Sequence, residues 1–263
     1  MDVTWLVEYL KGMEKPGIAL LLVLVAVSLS YLQKLDWEGE MISAILRGFL
    51  QLCVIGFVLE VVFKQECAFW IILAYLFMVC VAGYTAGQRA KQVPRGKYIA
   101  GASIFAGTAV TMVLLVVMTV FPFTPRYIIP VAGIMVGNAM RATGVTMKRL
   151  CDEIKLQKNL VETALALGAT PRQATLQQVK NSLVIALSPS LDNAKTIGLI
   201  SLPGAMSGLI MAGNSPVEAI KLQMVVMNMT LGAATVSTIV STHLSWPAFF
   251  TEGYQLETKV FHG

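Results

Sequence analysis

Asp192, Asn193 and Lys195 lie together inside a long apolar region, bracketed by Pro189 and Pro203. A charge in hydrocarbon costs roughly 2.5–3.5 kcal/mol on insertion scales, so such a cluster marks either a path for polar cargo or a paired structural kink. Asp192 and Lys195, three apart, can pair on one helix face. Gly198, Gly204 and Gly208 follow closely. A helix broken at membrane depth is tolerated where it is buried in protein or lines a wet cavity. Asn138, Arg141 and Lys221 are further candidates to meet a polar or anionic solute. Asn138 could equally bond a neighbouring helix, and Arg141 could anchor a span end. Arg47, which shares a face with Gln51, is expected to snorkel to headgroups, and Glu60 to lie at an interface.

Metal and nucleotide chemistry find less support. Cys53, Cys67, Cys80 and Cys151 show no metal spacing and are expected to be small buried hydrophobes. His243 and His262 are too few for a His-based metal site. The 14 methionines could offer thioethers to a soft metal, but without Cys or His at ligand spacing packing is the expected role. A phosphate-binding loop needs Gly-x4-Gly-Lys-Ser/Thr. Gly96-Lys97 is followed by Tyr98 and lacks the earlier glycine. The chain is therefore not expected to be an enzyme or to bind a cofactor of its own.

The elements that hold these residues are membrane spans. The chain is 56% hydrophobic and 13% charged, against about a quarter charged for a soluble domain. Its apolar residues come in runs near the 20 or so that cross a bilayer. Expected spans cover 17–33, 41–63, 68–87, 98–121, 127–146 and 219–242, with a broken sixth region at 183–212. No signal-peptide pattern is clear, so the first run reads as a retained span. The expected fold is all-α: one polytopic helical membrane domain over 1–263, with about seven transmembrane helices.

Orientation follows from the basic residues. Arg89, Lys91, Arg95 and Lys97 crowd 88–97, and seven more basic residues lie in 141–180. Both stretches should be cytoplasmic, which places the N-terminus outside and the C-terminus inside. The net charge of +5 is then a topology signal rather than a sign of nucleic-acid binding.

The stretch 147–180 is the one long polar segment. Its first helix carries Leu156, Leu160, Val161, Ala164 and Leu165 on one face and ends at Gly168. Thr170 opens the second, with Pro171 at the first helical position and Gln173 completing a capping box. That second helix is expected to continue through Lys180 into the membrane. An elbow of this kind either docks a partner or lies on lipid.

The run Glu162-Thr163-Ala164-Leu165-Ala166-Leu167-Gly168-Ala169-Thr170-Pro171 resembles the "EAA" loop of ABC-transporter permeases, with Thr163 where the pattern usually has Ala. The resemblance implies a coupling helix, with Glu162, Ala164, Leu165, Gly168, Ala169 and Thr170 contacting an ATP-binding subunit. Further runs are 82–91, Phe121-Pro122-Phe123-Thr124-Pro125-Arg126-Tyr127, 198–208, Ala212-Gly213-Asn214-Ser215-Pro216 and 254–261. They resemble the half-size permeases of plant aluminium tolerance, whose bacterial relatives include a permease assigned to iron export. That resemblance implies a soluble ATPase partner holding ATP and Mg, transport linked to UDP-glucose, and aluminium tolerance. Two permeases and two ATPases are the expected assembly. A metal exporter of the same architecture is the second reading, and a seven-span receptor or channel without an ATPase the third. The sequence does not single out a plasma, vacuolar or vesicle membrane.

Overall fold

A computed structural model describes residues 14–63, 68–251, 253, 255 and 256. Cys67, His262 and most of 254–261 lie outside the described residues. The helices are α1 (Glu14–Leu32), α2 (Glu38–Phe63), α3 (Ala68–Arg89), α4 (Gly96–Val117), α5 (Pro125–Leu156), α6 (Lys158–Ala166), α7 (Pro171–Ala174), α8 (Leu176–Thr196), α9 (Gly204–Met211) and α10 (Pro216–Ser245). A 3-10 turn, Trp246–Phe249, follows α10. The fold is all-α, as the apolar runs require; among the described residues β-pairing is confined to two isolated bridges.

Two compact units emerge, Met1–Lys64 and Gln65–Gly263. In the first, α1 and α2 form a hairpin. The buried Ser30 hydroxyl donates to Glu38 Oε1 at 3.0 Å. Glu38 and Glu40 stand in the first turn of α2, where the positive end of the helix dipole favours anions.

Five helices are long and apolar enough to cross a membrane: α2 as far as Glu60, α3, α4, α5, and α10 with its 3-10 turn. The apolar stretch of α1, Gly17–Leu32, is shorter. Helix α8 has 21 residues, enough for a span of about 30 Å, but it carries Asp192, Asn193 and Lys195. The expected sixth region is indeed broken. Helix α8 ends at Thr196, and a tight turn closes with the Gly198 N–H donating to Ser201 O at 2.9 Å before α9 starts. Gly198 sits at φ 81°, a left-handed conformation that glycine adopts without strain.

In the second unit, small residues fill the interior and large ones cover the exterior. Ala82, Ala86, Ala100, Ser103, Thr108, Ala139, Ala233, Ala234, Ser237 and Ser241 are buried. Phe69, Phe77, Phe105, Val113 and Leu114 are exposed. Lipid tails are as apolar as Leu, so helices in a bilayer associate through close backbone approach rather than burial of large side chains. A Cβ on Gly83 would sit 2.6 Å from Gly101 Cα, and one on Gly107 2.6 Å from Ser237 N. These contacts lock α3 to α4 and α4 to α10. Buried hydroxyls such as Thr108 and Thr146 donate to carbonyls four residues back in their own helices, which satisfies them without water.

Some expectations shift. Ser237 packs closely against Gly107, whereas Gly204 and Gly208, which follow the charged cluster, face open space. Cys151 is buried, but Cys53 is half-buried and Cys80 exposed, because α3 turns position 80 outward with Phe77 and Tyr84. Helix α5 does not stop near 146. It runs unbroken to Leu156, because Met147, Leu150, Cys151 and Ile154 continue its buried face.

Overpacking a tight interface costs about 1–3 kcal/mol. Gly107→Ala should therefore lower stability by about that much. Gly133→Ala, whose new Cβ would meet Met78 Sδ at an ordinary 3.8 Å, should leave it unchanged or slightly higher. Thermal unfolding of the purified chain in detergent checks both.

Candidate functional site

The second unit holds a cavity of about 760 Å³ between α5, α8, α9 and α10, with the end of α3 at its rim. Each wall has a sequence cause. Pro189 lies inside α8 and cannot donate a helical hydrogen bond, which loosens the backbone there. The turn at 197–203 carries the chain across to α9, whose Gly204 and Ala205 leave room. From α10 come Gln223, Met227 and Thr230, one to two turns apart.

The charged and amide groups converge from four helices. Arg141 Nη2 donates to Asn138 Oδ1 at 2.7 Å, and Asn138 Nδ2 donates to Ile134 O at 2.9 Å. Asn138 thus holds the guanidinium of Arg141 one turn further along the same helix. Arg89 also lines the cavity. Its stem crosses α5 at Gly144, where a Cβ would sit 3.3 Å from Arg89 Cδ. Asn193 enters from α8 and Gln223 from α10. Gln223 Oε1 is buried with no hydrogen-bond partner among the described residues. Among the described residues, two guanidiniums and no carboxylate line the space, so its field favours an anion.

The structure brings together Asn138, Arg141 and Asn193 of the residues singled out by sequence. Asp192, Lys195 and Lys221 are not part of the cavity wall. Lys195 Nζ lies 3.3 Å from Asp192 Oδ1 in an exposed pair, and Ser188 Oγ donates to Asp192 Oδ2 at 3.1 Å. Lys221 is exposed on α10. Sequence reasoning missed Arg89 and Gln223. A basic residue ending an apolar run reads as an anchor, and no local signal set Arg89 apart. Among the described residues, no group of three or more His, Cys, Asp or Glu comes together. Arg47 and Gln51 are both exposed on α2.

The elbow lies at the end of the second unit where both basic stretches meet. Val93, Met147, Leu150, Val161, Ala174 and Phe249 share one buried cluster there. Helix α6 turns Val161 inward, with Ala164 and Leu165 packed against the cluster, while Leu156, Leu160 and Leu167 are exposed. The expected apolar face is therefore split between core and exterior. Glu162 is exposed and faces Lys158 at 3.7 Å. Gly168 has φ 89°, Ala169 is half-buried, and Thr170 forms the expected capping box with Gln173 around Pro171.

The second helix of the elbow differs from expectation. It breaks at Thr175, so α7 is a single turn. The break is held from outside: Trp246 Nε1 donates to Thr175 Oγ1 at 2.9 Å. The other break, at Gln157, is tied by Gln178 Nε2 donating to Gln157 Oε1 at 2.7 Å.

Residues 14–250 match the family described as "Uncharacterised protein family (UPF0014)". The chain is 70% identical to Protein ALUMINUM SENSITIVE 3 of Arabidopsis thaliana, over 99% of this chain and 95% of the relative. It is 68% identical to UPF0014 membrane protein STAR2 of Oryza sativa subsp. japonica, over 97% and 89%. It is 37% identical to the Probable iron export permease protein FetB of Escherichia coli, over 92% and 94%. No solved structure matches it. The chain belongs to the UPF0014 family and is an integral membrane protein of the permease type.

An anion-favouring cavity has a direct chemical readout. In a variant with its native cysteines replaced, Cys introduced at Asn193 or Thr230 should react faster with a negatively charged methanethiosulfonate than with a positively charged one. Normalised to a free thiol, the ratio should be about tenfold: the reagents differ by two charges, so roughly 0.7 kcal/mol of local potential per unit charge gives that factor. Arg141→Gln should shrink the ratio.

Proposed function

We propose that this UPF0014 protein is the membrane-spanning subunit of an ABC transporter whose ATPase is a separate soluble subunit, and that it carries an anionic solute. The observation that carries the reading is the continuity of elbow and cavity. Helix α5 bears Arg141 and runs straight into the elbow at Gln157, and α8 leaves the elbow at Thr175 and bears Asn193. A push on the elbow must therefore move two walls of the cavity.

The two basic stretches share one end of the bundle, and the positive-inside rule makes that end cytoplasmic. Helix α8 then serves as a span shielded partly by protein, and α10 returns the chain to the cytoplasm. The N-terminus lies outside and the C-terminus inside. The exposed Leu160, Leu167, Glu162 and Gly168 form the docking knuckle, backed by Ala164, Leu165, Ala169 and Thr170. Segment 147–180 is the coupling segment. ATP and Mg belong to the partner, and two copies of each subunit make the complex.

Within that reading the cargo is a nucleotide sugar. UDP-glucose is anionic, and a cavity near 760 Å³ falls in the usual range for small-molecule sites. The kinship with ALUMINUM SENSITIVE 3 and STAR2 supports a part in aluminium tolerance. The relationship to an iron export permease favours metal export as the second reading. Two arginines in the wall repel a bare cation, which ranks that reading lower.

Docking has a mutational test. Gly168→Pro cannot adopt the φ of 89° that the turn requires, because proline is fixed near −65°. Leu167→Glu places a charge on the exposed knuckle while leaving the core untouched. Both, and Glu162→Lys, should abolish co-purification of the soluble ATPase and its stimulation by the permease. Full-strength retention of the ATPase by all three would remove the docking site from the elbow.

A further inference from the structure

We propose that the slot between the N-terminal half of α8 and the C-terminal end of α10 holds one acidic phospholipid, headgroup toward the elbow and acyl chain toward the bilayer centre. The slot, about 360 Å³, is separate from the cargo cavity. Its wall has a polarity that follows from helix register. The Trp246 indole donates to Thr175 Oγ1, so the start of α8 faces the end of α10. From that bond α8 advances eight residues to Leu183 and α10 steps back seven residues to Ile239, about 10–12 Å along each helix. Arg172, His243 and Trp246 therefore form the mouth, and Leu183 and Ile239 the far end.

Charge and aromaticity identify the occupant. The mouth carries an exposed guanidinium, and among the described residues no carboxylate is part of the slot wall. Trp at a span end favours the headgroup level, where one end of the ring is apolar and the other wet. Leu176 on α8 is exposed beside it, as is Ile239 on α10, so the slot opens sideways onto the region that lipid covers. A phosphodiester of diacylglycerol fits this pattern: its phosphate meets Arg172 and one chain lies along Leu183 and Ile239. A soluble phosphate would leave the aliphatic end empty, and a zwitterionic lipid brings a headgroup ammonium beside the guanidinium that offsets the attraction of its phosphate.

The position gives the lipid a consequence. Trp246 lines the slot and also ties the break at Thr175. An occupant that pins Trp246 steadies the elbow from the bilayer side. That consequence rests on the elbow reading above, whereas the lipid site stands without it.

The full-length chain in nanodiscs of equal phosphatidylglycerol and phosphatidylcholine supplies the test, with retained lipids counted by native mass spectrometry. The wild type should retain phosphatidylglycerol in preference. Arg172→Gln should cut that preference about fivefold, the factor expected for one basic side chain near an acidic membrane surface. Ile239→Trp, which fills the tail end, should reduce retention of the acidic lipid even with Arg172 present. Arg126→Gln, an exposed charge at the start of α5 and the opposite end of that helix from the elbow, should change nothing. Hydrogen exchange across 157–175 should slow with phosphatidylglycerol in the wild type and not in Arg172→Gln. An unchanged preference in Arg172→Gln, an equal loss in Arg126→Gln, or unchanged retention in Ile239→Trp would overturn the site. So would release of the lipid on adding the ATPase subunit, which would make the slot the partner's.

Discussion

Backbones in near contact at Gly83–Gly101 and Gly107–Ser237 set the geometry on which every other feature of the second unit depends. Inside a bilayer no hydrophobic gain pulls helices together, so packing must come from surfaces that approach closely. Glycine, alanine and serine on α3, α4 and α10 supply them; the Ser103 and Ser241 hydroxyls bond within their own helices, whereas Ser237 Oγ is buried with no hydrogen-bond partner among the described residues. With these three helices drawn tight, α5 packs against α3, α4 and α10. Helix α8 is left to close the cavity with a proline-bearing, polar segment. The tightly packed helices and the helix that closes the cavity thus differ in composition.

That division gives a physical route from elbow to cavity. Gln157 and Arg141 lie 16 residues apart on essentially one helix, about 24 Å. Thr175 and Asn193 are similarly separated along α8. Both breaks are cross-tied, Gln157 by Gln178 and Thr175 by Trp246. Motion of α6 and α7 is therefore shared among α5, α8 and α10, the three helices that supply Arg141, Asn193 and Gln223 to the cavity. ATP and cargo can drive such a device only by binding its two states with different affinity. The unpartnered Gln223 Oε1 and the Arg141–Asn138 bond are groups that a cargo can engage in one state and lose in the other.

Much of this was legible in the residues themselves. Long apolar runs fixed an all-α membrane fold, and Thr170-Pro171-x-Gln173 named a capping box that forms as written. Gly168 at a positive φ was readable because the chain needed a sharp turn between two helical patterns. Other features required the third dimension. Whether a charge such as Lys195 faces the cavity or the exterior depends on helix rotation, which period alone does not set. Arg89 reaches the cavity only because Gly144, 55 residues away, leaves space for its stem. The split of the elbow's apolar face depends on how far the core extends along α5, where Leu150 and Ile154 claim Val161 for the interior.

In the proposed transporter a separate ATPase, gripping the elbow, drives an anion through the arginine-lined cavity. Proteoliposomes holding the permease and its ATPase, supplied with ATP and radiolabelled UDP-glucose, measure it directly. The expected result is ATP-dependent flux that requires both subunits and falls at least tenfold in Arg141→Gln with ATPase binding intact. Flux of UDP-glucose by the permease alone, or ATP-dependent metal flux with none of the sugar nucleotide, would contradict it.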